Sequence, residues 1–195
     1  MNTGPKILTK SSLESEVTYF RPTQDMPEKV SLNSPAIDVM TDLKKVTAMS
    51  ISPCATLDEA SQRMTSSNVH LLFVTNQFHH VMGIITSNDL IGEKMVKYLS
   101  QVGGKREEVM VRDLMTPQRK IEVLDMSELK RARVSDIVEV MKHMGRRHAL
   151  VADRDFSGAQ VICGVLSTVQ IGAQLGEPIV SSGVASNLAD MALKQ

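Results

Sequence analysis

Gly83-Ile84-Ile85-Thr86-Ser87-Asn88-Asp89-Leu90-Ile91-Gly92 is the stretch from which the rest of the chain can be read. Val81 to Ile85 is an apolar run suited to a short buried strand. From Leu90 the apolar residues recur at Ile91, Met95, Tyr98 and Leu99, at helical spacing. Thr86 to Asp89 is therefore a helix mouth, whose free N–H groups and positive dipole end favour an anionic or oxygen-rich group. Two readings of the mouth stay open. In one, Thr86 and Asp89 form a capping box and do nothing more. In the other, the Asp89 carboxylate takes both hydroxyls of a ribose, using its two acceptor oxygens.

Moving outward, the same strand and turn occur a second time as Gly164-Val165-Leu166-Ser167-Thr168-Val169-Gln170-Ile171. Ser167 stands for Thr86 and Gln170 for Asp89. Capping accounts for both copies but not for the carboxylate in only one of them. Upstream, Ala36-Ile37-Asp38-Val39-Met40-Thr41 is echoed by Val111-Arg112-Asp113-Leu114-Met115-Thr116. Thr56 and Glu59 open a helix with the stripe Leu57, Ala60 and Met64, and its counterpart carries Val134, Ile137, Met141 and Met144. Leu71–Val74 and Ala149–Ala152 are the buried strands that follow. Each is joined to its glycine-led strand by a polar hairpin. The chain is thus an internal repeat of strand, helix, strand, strand, helix. Neither copy is long enough to cover both faces of a small sheet, but two copies can cover each other with pseudo-two-fold symmetry.

These four motifs, in order and twice, resemble the CBS domain, and their tandem arrangement is similar to a CBS pair, or Bateman module, of a stand-alone bacterial protein. The resemblance implies an α/β (α+β) fold of tandem repeats, each a small mixed sheet with two helices. The boundaries expected are an arm over 1–34, repeat 1 over 35–100, a linker over 101–110, repeat 2 over 111–176 and a tail over 177–195. It further implies a non-catalytic regulatory module. Such a module binds an adenosine compound (AMP, ADP, ATP or S-adenosylmethionine) in a cleft between repeats and signals by changing shape. No cofactor is required, a homodimer is expected, and a regulated protein of unknown identity receives the signal. The alternative is a ligand-free dimerisation scaffold or adaptor.

By the same resemblance, Asp89 takes the ribose hydroxyls, Thr86 and Asn88 lie beside ribose and phosphate, and Ile84 lies against the base. Val69 and His70 in the first copy, and Arg146, Arg147 and His148 in the second, line the clefts. Arg146 and Arg147 suit a phosphate, or are a solvated strand entrance. Gln170 departs from the pattern, so one good site and one degenerate site are expected.

Composition narrows the field. The 195 residues are 42% hydrophobic, with 22 basic against 22 acidic side chains, so no general basic field holds the chain to nucleic acid or a membrane surface. Two tyrosines, four phenylalanines and no tryptophan offer no stacking platform for bases. Cys54 and Cys163 lack paired spacing and read as buried or half-buried thiols, in keeping with a cytoplasmic protein. No two His or carboxylates share a helix face at metal-ligand spacing, and His79 and His80 read as solvated hairpin residues. No apolar run is long enough to span a bilayer. The arm should pack on the surface or on another subunit, and Gln118–Arg133 reads as a surface loop. The tail stretch with Leu188, Met191 and Ala192 should pack on the module or across a dimer interface.

Overall fold

A computed structural model describes residues 11–18, 20 and 22–179. The amphipathic tail stretch lies outside the described residues.

The first half of the chain runs β1 (Met40–Asp42), β2 (Ser50–Ile51), α1 (Leu57–Ser66), β3 (Leu71–Thr75), β4 (Val81–Thr86), α2 (Ser87–Ile91) and α3 (Glu93–Val102). The second half runs α4 (Val111–Leu114), β5 (Thr116–Pro117), β6 (Val123–Asp125), α5 (Met126–Leu129), α6 (Val134–Met144), β7 (His148–Arg154), β8 (Gln160–Ser167) and α7 (Thr168–Leu175). The α1 capping box forms as the sequence predicts, with the Thr56 amide 2.7 Å from Glu59 Oε2 and the Glu59 amide 3.1 Å from Thr56 Oγ1. Leu57, Ala60 and Met64 are its buried stripe.

The strands form two mixed four-stranded sheets, β2-β3-β4-β5 and β1-β8-β7-β6. Each contains one antiparallel hairpin, β3–β4 or β7–β8, with a parallel strand at one edge. The fourth strand of each sheet comes from the other repeat. β1 opens the first repeat yet pairs with β8, placing Met40 opposite Leu166 and Asp42 opposite Gly164. β5 opens the second repeat and pairs with β4, placing Thr116 opposite Ile84. This exchange explains the glycine that leads each motif. A Cβ on Gly83 would lie 2.5 Å from the Thr116 carbonyl oxygen, and one on Gly164 would run into the Met40 side chain.

The sheets face each other across an apolar layer holding Leu71, Phe73, Ile84 and Leu150. Their outer faces are covered by helices. Leu57, Leu72, Ile85 and Leu114 belong to one outer core, and Met40, Met141, Leu166 and Ile171 to the other. Burying each such side chain stabilises the fold by roughly 1.5–3 kcal/mol. The repeats therefore cover one another as the sequence implies.

The structure differs from the sequence reading at three places. The helix after Asp89 is not continuous. It breaks at Gly92, whose amide bonds to the Asn88 carbonyl and whose added Cβ would sit 2.5 Å from that oxygen. The break turns Ile91 outward, 76% exposed, while Met95, Tyr98 and Leu99 pack on the core. Gln118–Arg133 is not a loop. It contributes β6, parallel to β7, and α5, whose Met126 and Leu129 are buried. Cys163 is buried as expected, but Cys54 is exposed.

Candidate functional site

The strand registers identify which residues are equivalent. Leu71 pairs with Thr86 in the first repeat, and His148 pairs with Ser167 in the second. The Ser87 amide bonds to the His70 carbonyl, and the Thr168 amide to the Arg147 carbonyl, each at 3.0 Å. His148 thus holds the place of Leu71, and Arg147 that of His70.

At the first helix mouth the Asp89 carboxylate is folded back. Its Oδ2 accepts from the Thr86 amide and from Thr86 Oγ1, both at 2.8 Å. Its Oδ1 lies 2.9 Å from Lys94 Nζ, with the two side chains 15% and 41% exposed respectively. The capping reading is therefore realised, at one oxygen. Oδ1 holds only a half-exposed ammonium and keeps a free lone pair, since each carboxylate oxygen accepts about two hydrogen bonds.

Across from this mouth, burial pushes the His148 imidazole down to about 4. The charges of His70 and then Arg147 push the same way, and Asp89 pulls in the opposite direction. Residues of both repeats thus come within electrostatic reach of one another: Asp89 and His70 from the first, Arg147 and His148 from the second. The remaining predicted residues are placed as follows. Ile84 is packed in the layer between the sheets. Asn88 is exposed on the first turn of α2. The Arg146 guanidinium reaches the Lys120 carbonyl at 3.4 Å. Val69 and His70 border a cavity of about 320 Å³ on the outer side of the α2 mouth, with Met64, Ser87 and Leu90, and Asp89 does not line it.

The second helix mouth is built differently. Gln170 Oε1 accepts from Thr41 Oγ1 at 3.3 Å, and its Nε2 lies 3.0 Å from the sulfur of Met26. Gln24 bonds the edge of β1 twice, Nε2 to the Met40 carbonyl at 2.9 Å and Oε1 from the Asp42 amide at 2.7 Å. One turn after Gln170, Gln174 Nε2 donates to the Pro27 carbonyl at 2.7 Å, and the Val30 amide donates to the Gln174 carbonyl at 2.9 Å. Of the arm, Gln24, Met26, Pro27 and Val30 lie along this mouth.

Lys94, Gln24, Met26 and Gln174 are contacts that the sequence reading missed. The only local signal was Gln170 and Gln174, four apart on one helix face. One further feature stands apart from both mouths. Ser50, Glu59, Arg63, Thr75, Asn76 and His79 border a wide, solvent-open groove of about 730 Å³ between α1 and the β3–β4 hairpin. Among the described residues there is no cluster of three or more His, Cys, Asp or Glu able to hold a metal ion, and no helix is long and apolar enough to cross a membrane.

The CBS domain family model matches residues 33–95. Among solved structures, the chain is similar to an uncharacterised conserved protein of Pyrococcus horikoshii. That match has a TM-score of 0.53 and 20% identity, over 73% of this chain and 92% of that one. It is similar also to CBSX2 of Arabidopsis thaliana in complex with AMP, with a TM-score of 0.47 and 21% identity over 71% and 93% of the two chains. The CBS domain pair of protein MJ0100, in complex with 5′-methylthioadenosine and S-adenosylmethionine, matches with a TM-score of 0.48 and 16% identity over 71% and 93%. At these identities the likeness is one of fold. No curated protein matches the chain in sequence.

Proposed function

We propose that the chain, which matches the CBS domain family model over residues 33–95, is a CBS-pair protein and a non-catalytic regulatory module that binds an adenosine compound at the first helix mouth. The carrying observation is the meeting of groups from both repeats: Asp89 and His70 of the first and Arg147 of the second all lie within electrostatic reach of His148. Asp89 Oδ1 takes the ribose hydroxyls while Oδ2 keeps its hold on Thr86, and Lys94 yields. Arg147, His148 and His70 supply donors for phosphate. A bound phosphate also adds negative charge to that of Asp89 beside His148, raising the affinity of His148 for a proton. Because the binding groups belong to different repeats, occupancy draws the repeats together, and that displacement is the signal passed to a partner protein.

We place the homodimer contact on the outer helices. Ile91, Val96 and Val102 are 76, 66 and 65% exposed along α2 and α3, and Val169 of α7 is 61% exposed.

One observation favours the alternative of a ligand-free scaffold: Asp89 is already engaged by Thr86 and Lys94. A thermal-shift series with AMP, ADP, ATP and S-adenosylmethionine separates the two. A ligand at 100 times its dissociation constant adds about 2.7 kcal/mol, or several degrees in Tm for a domain of this size. A Tm unmoved by all four compounds would leave the scaffold.

A further inference from the structure

We infer that Pro22–Val30 is a strap, an intramolecular occupant that fills the second helix mouth and leaves it reversibly without unfolding the module. The arm runs extended, with Gln24 and Met26 half-buried and Thr23, Asp25 and Pro27 exposed, so that alternate side chains face the protein. Gln24 satisfies two backbone groups on the outer edge of β1, where a further strand would otherwise pair. Met26 sits on Gln170, the residue equivalent to Asp89, and so takes the position that a ligand would take on the first repeat. Gln170 suits this role where an aspartate would not. Its amide donates to the methionine sulfur, whereas a carboxylate would oppose one acceptor with another.

The strap is built to detach. Among the described residues its backbone takes part in two hydrogen bonds to the module, at Pro27 and Val30, both to Gln174 of α7. Their loss exposes little apolar surface, since Met26 and Val30 are its only sizeable apolar contacts. Segments held this way open at low free-energy cost. The fit is also imperfect: the buried Oε1 of Gln174 has no hydrogen-bond partner, and opening would let water satisfy it. This inference goes beyond the proposed function and holds whether or not the first mouth takes a nucleotide.

Limited trypsin digestion of the full, ligand-free chain tests it. Lys29 is an exposed site in the strap, and Lys142, within α6, reports opening of the module itself. Gln24→Ala and Gln170→Glu each remove a strap contact, the second without a change in size. Each is expected to speed cleavage at Lys29 by roughly fivefold to tenfold while leaving Lys142 protected. Unchanged cleavage at Lys29 in both variants would show that these contacts do not hold the arm. Cleavage rising equally at Lys29 and Lys142 would show the arm to be integral to the fold. Either result overturns the inference.

Discussion

The two helix mouths descend from one repeated motif and have been given opposite chemistry. The first carries Asp89, within electrostatic reach of His148. The second carries Gln170, has Leu71 where the other has His148, and is covered by Gln24 and Met26. A capping residue is needed at both, so capping alone cannot account for the difference. What separates them is that Gln170 at the second mouth is engaged by Thr41 and Met26 of the chain itself, while at the first Asp89 Oδ1 holds only the half-exposed ammonium of Lys94. One mouth is finished by the protein. The other is left to be finished by something else.

The comparison breaks most readily at Asp89. Asp89→Ala removes a charge-assisted pair to the sugar, worth on the order of 1.5–3 kcal/mol, and should lower AMP affinity at least tenfold in calorimetry. Gln170→Ala should leave it unchanged. Asp89→Asn keeps an acceptor for the Thr86 amide and so separates the sugar role from the cap. Equal losses from Asp89→Ala and Gln170→Ala would erase the distinction between the mouths.

A somewhat smaller effect is expected at His148. Its folded value of about 4 lies below the ordinary value near 6.5, so between these the unfolded chain binds a proton that the folded chain refuses. Stability should therefore fall as pH drops from about 6.5 to about 4, by on the order of 2 kcal/mol after allowance for its partial exposure. His148→Leu, which copies the equivalent Leu71, should flatten that part of the Tm profile. A profile equally steep in the variant would place the acid sensitivity elsewhere.

The smallest effect is at Lys94. Its ion pair with Asp89 is half-exposed and worth no more than about 1 kcal/mol. Lys94→Met should raise the affinity for adenosine itself, which carries no phosphate, by up to about fivefold, because the sugar no longer competes with the ammonium. Weaker adenosine binding in this variant would make Lys94 a ligand contact instead of a competitor.

Much of this architecture was legible because it is periodic. The stripes of α1 and α6, the hairpin strands and the repeat itself follow from apolar spacing, and the inter-sheet layer follows from the need to bury a second face. The exchange of β1 and β5 was not legible, because strands of two or three residues carry no period and their partners are set by the whole sheet. Only Gly83 and Gly164 hinted at it, as places where another backbone passes close. α5 was missed for the same reason, being four residues long. At the site, Asp89 and the Arg147–His148 pair were readable as residue types at a helix mouth and a strand start. Lys94 was not, since its reach back to Asp89 depends on the bend at Gly92. The arm's role was hidden because Gln24 and Met26 act through contacts far away in the chain.

The traded strands have a bearing on how such a protein comes into being on the ribosome. When the first repeat has emerged, its sheet still lacks β5, and its own β1 has no β8 to join. The nascent half waits with one sheet edge bare and one ribbon idle until the second half arrives. Completion of both halves is then a single event, and a chain halted between them would display an adhesive border suited to binding its neighbours.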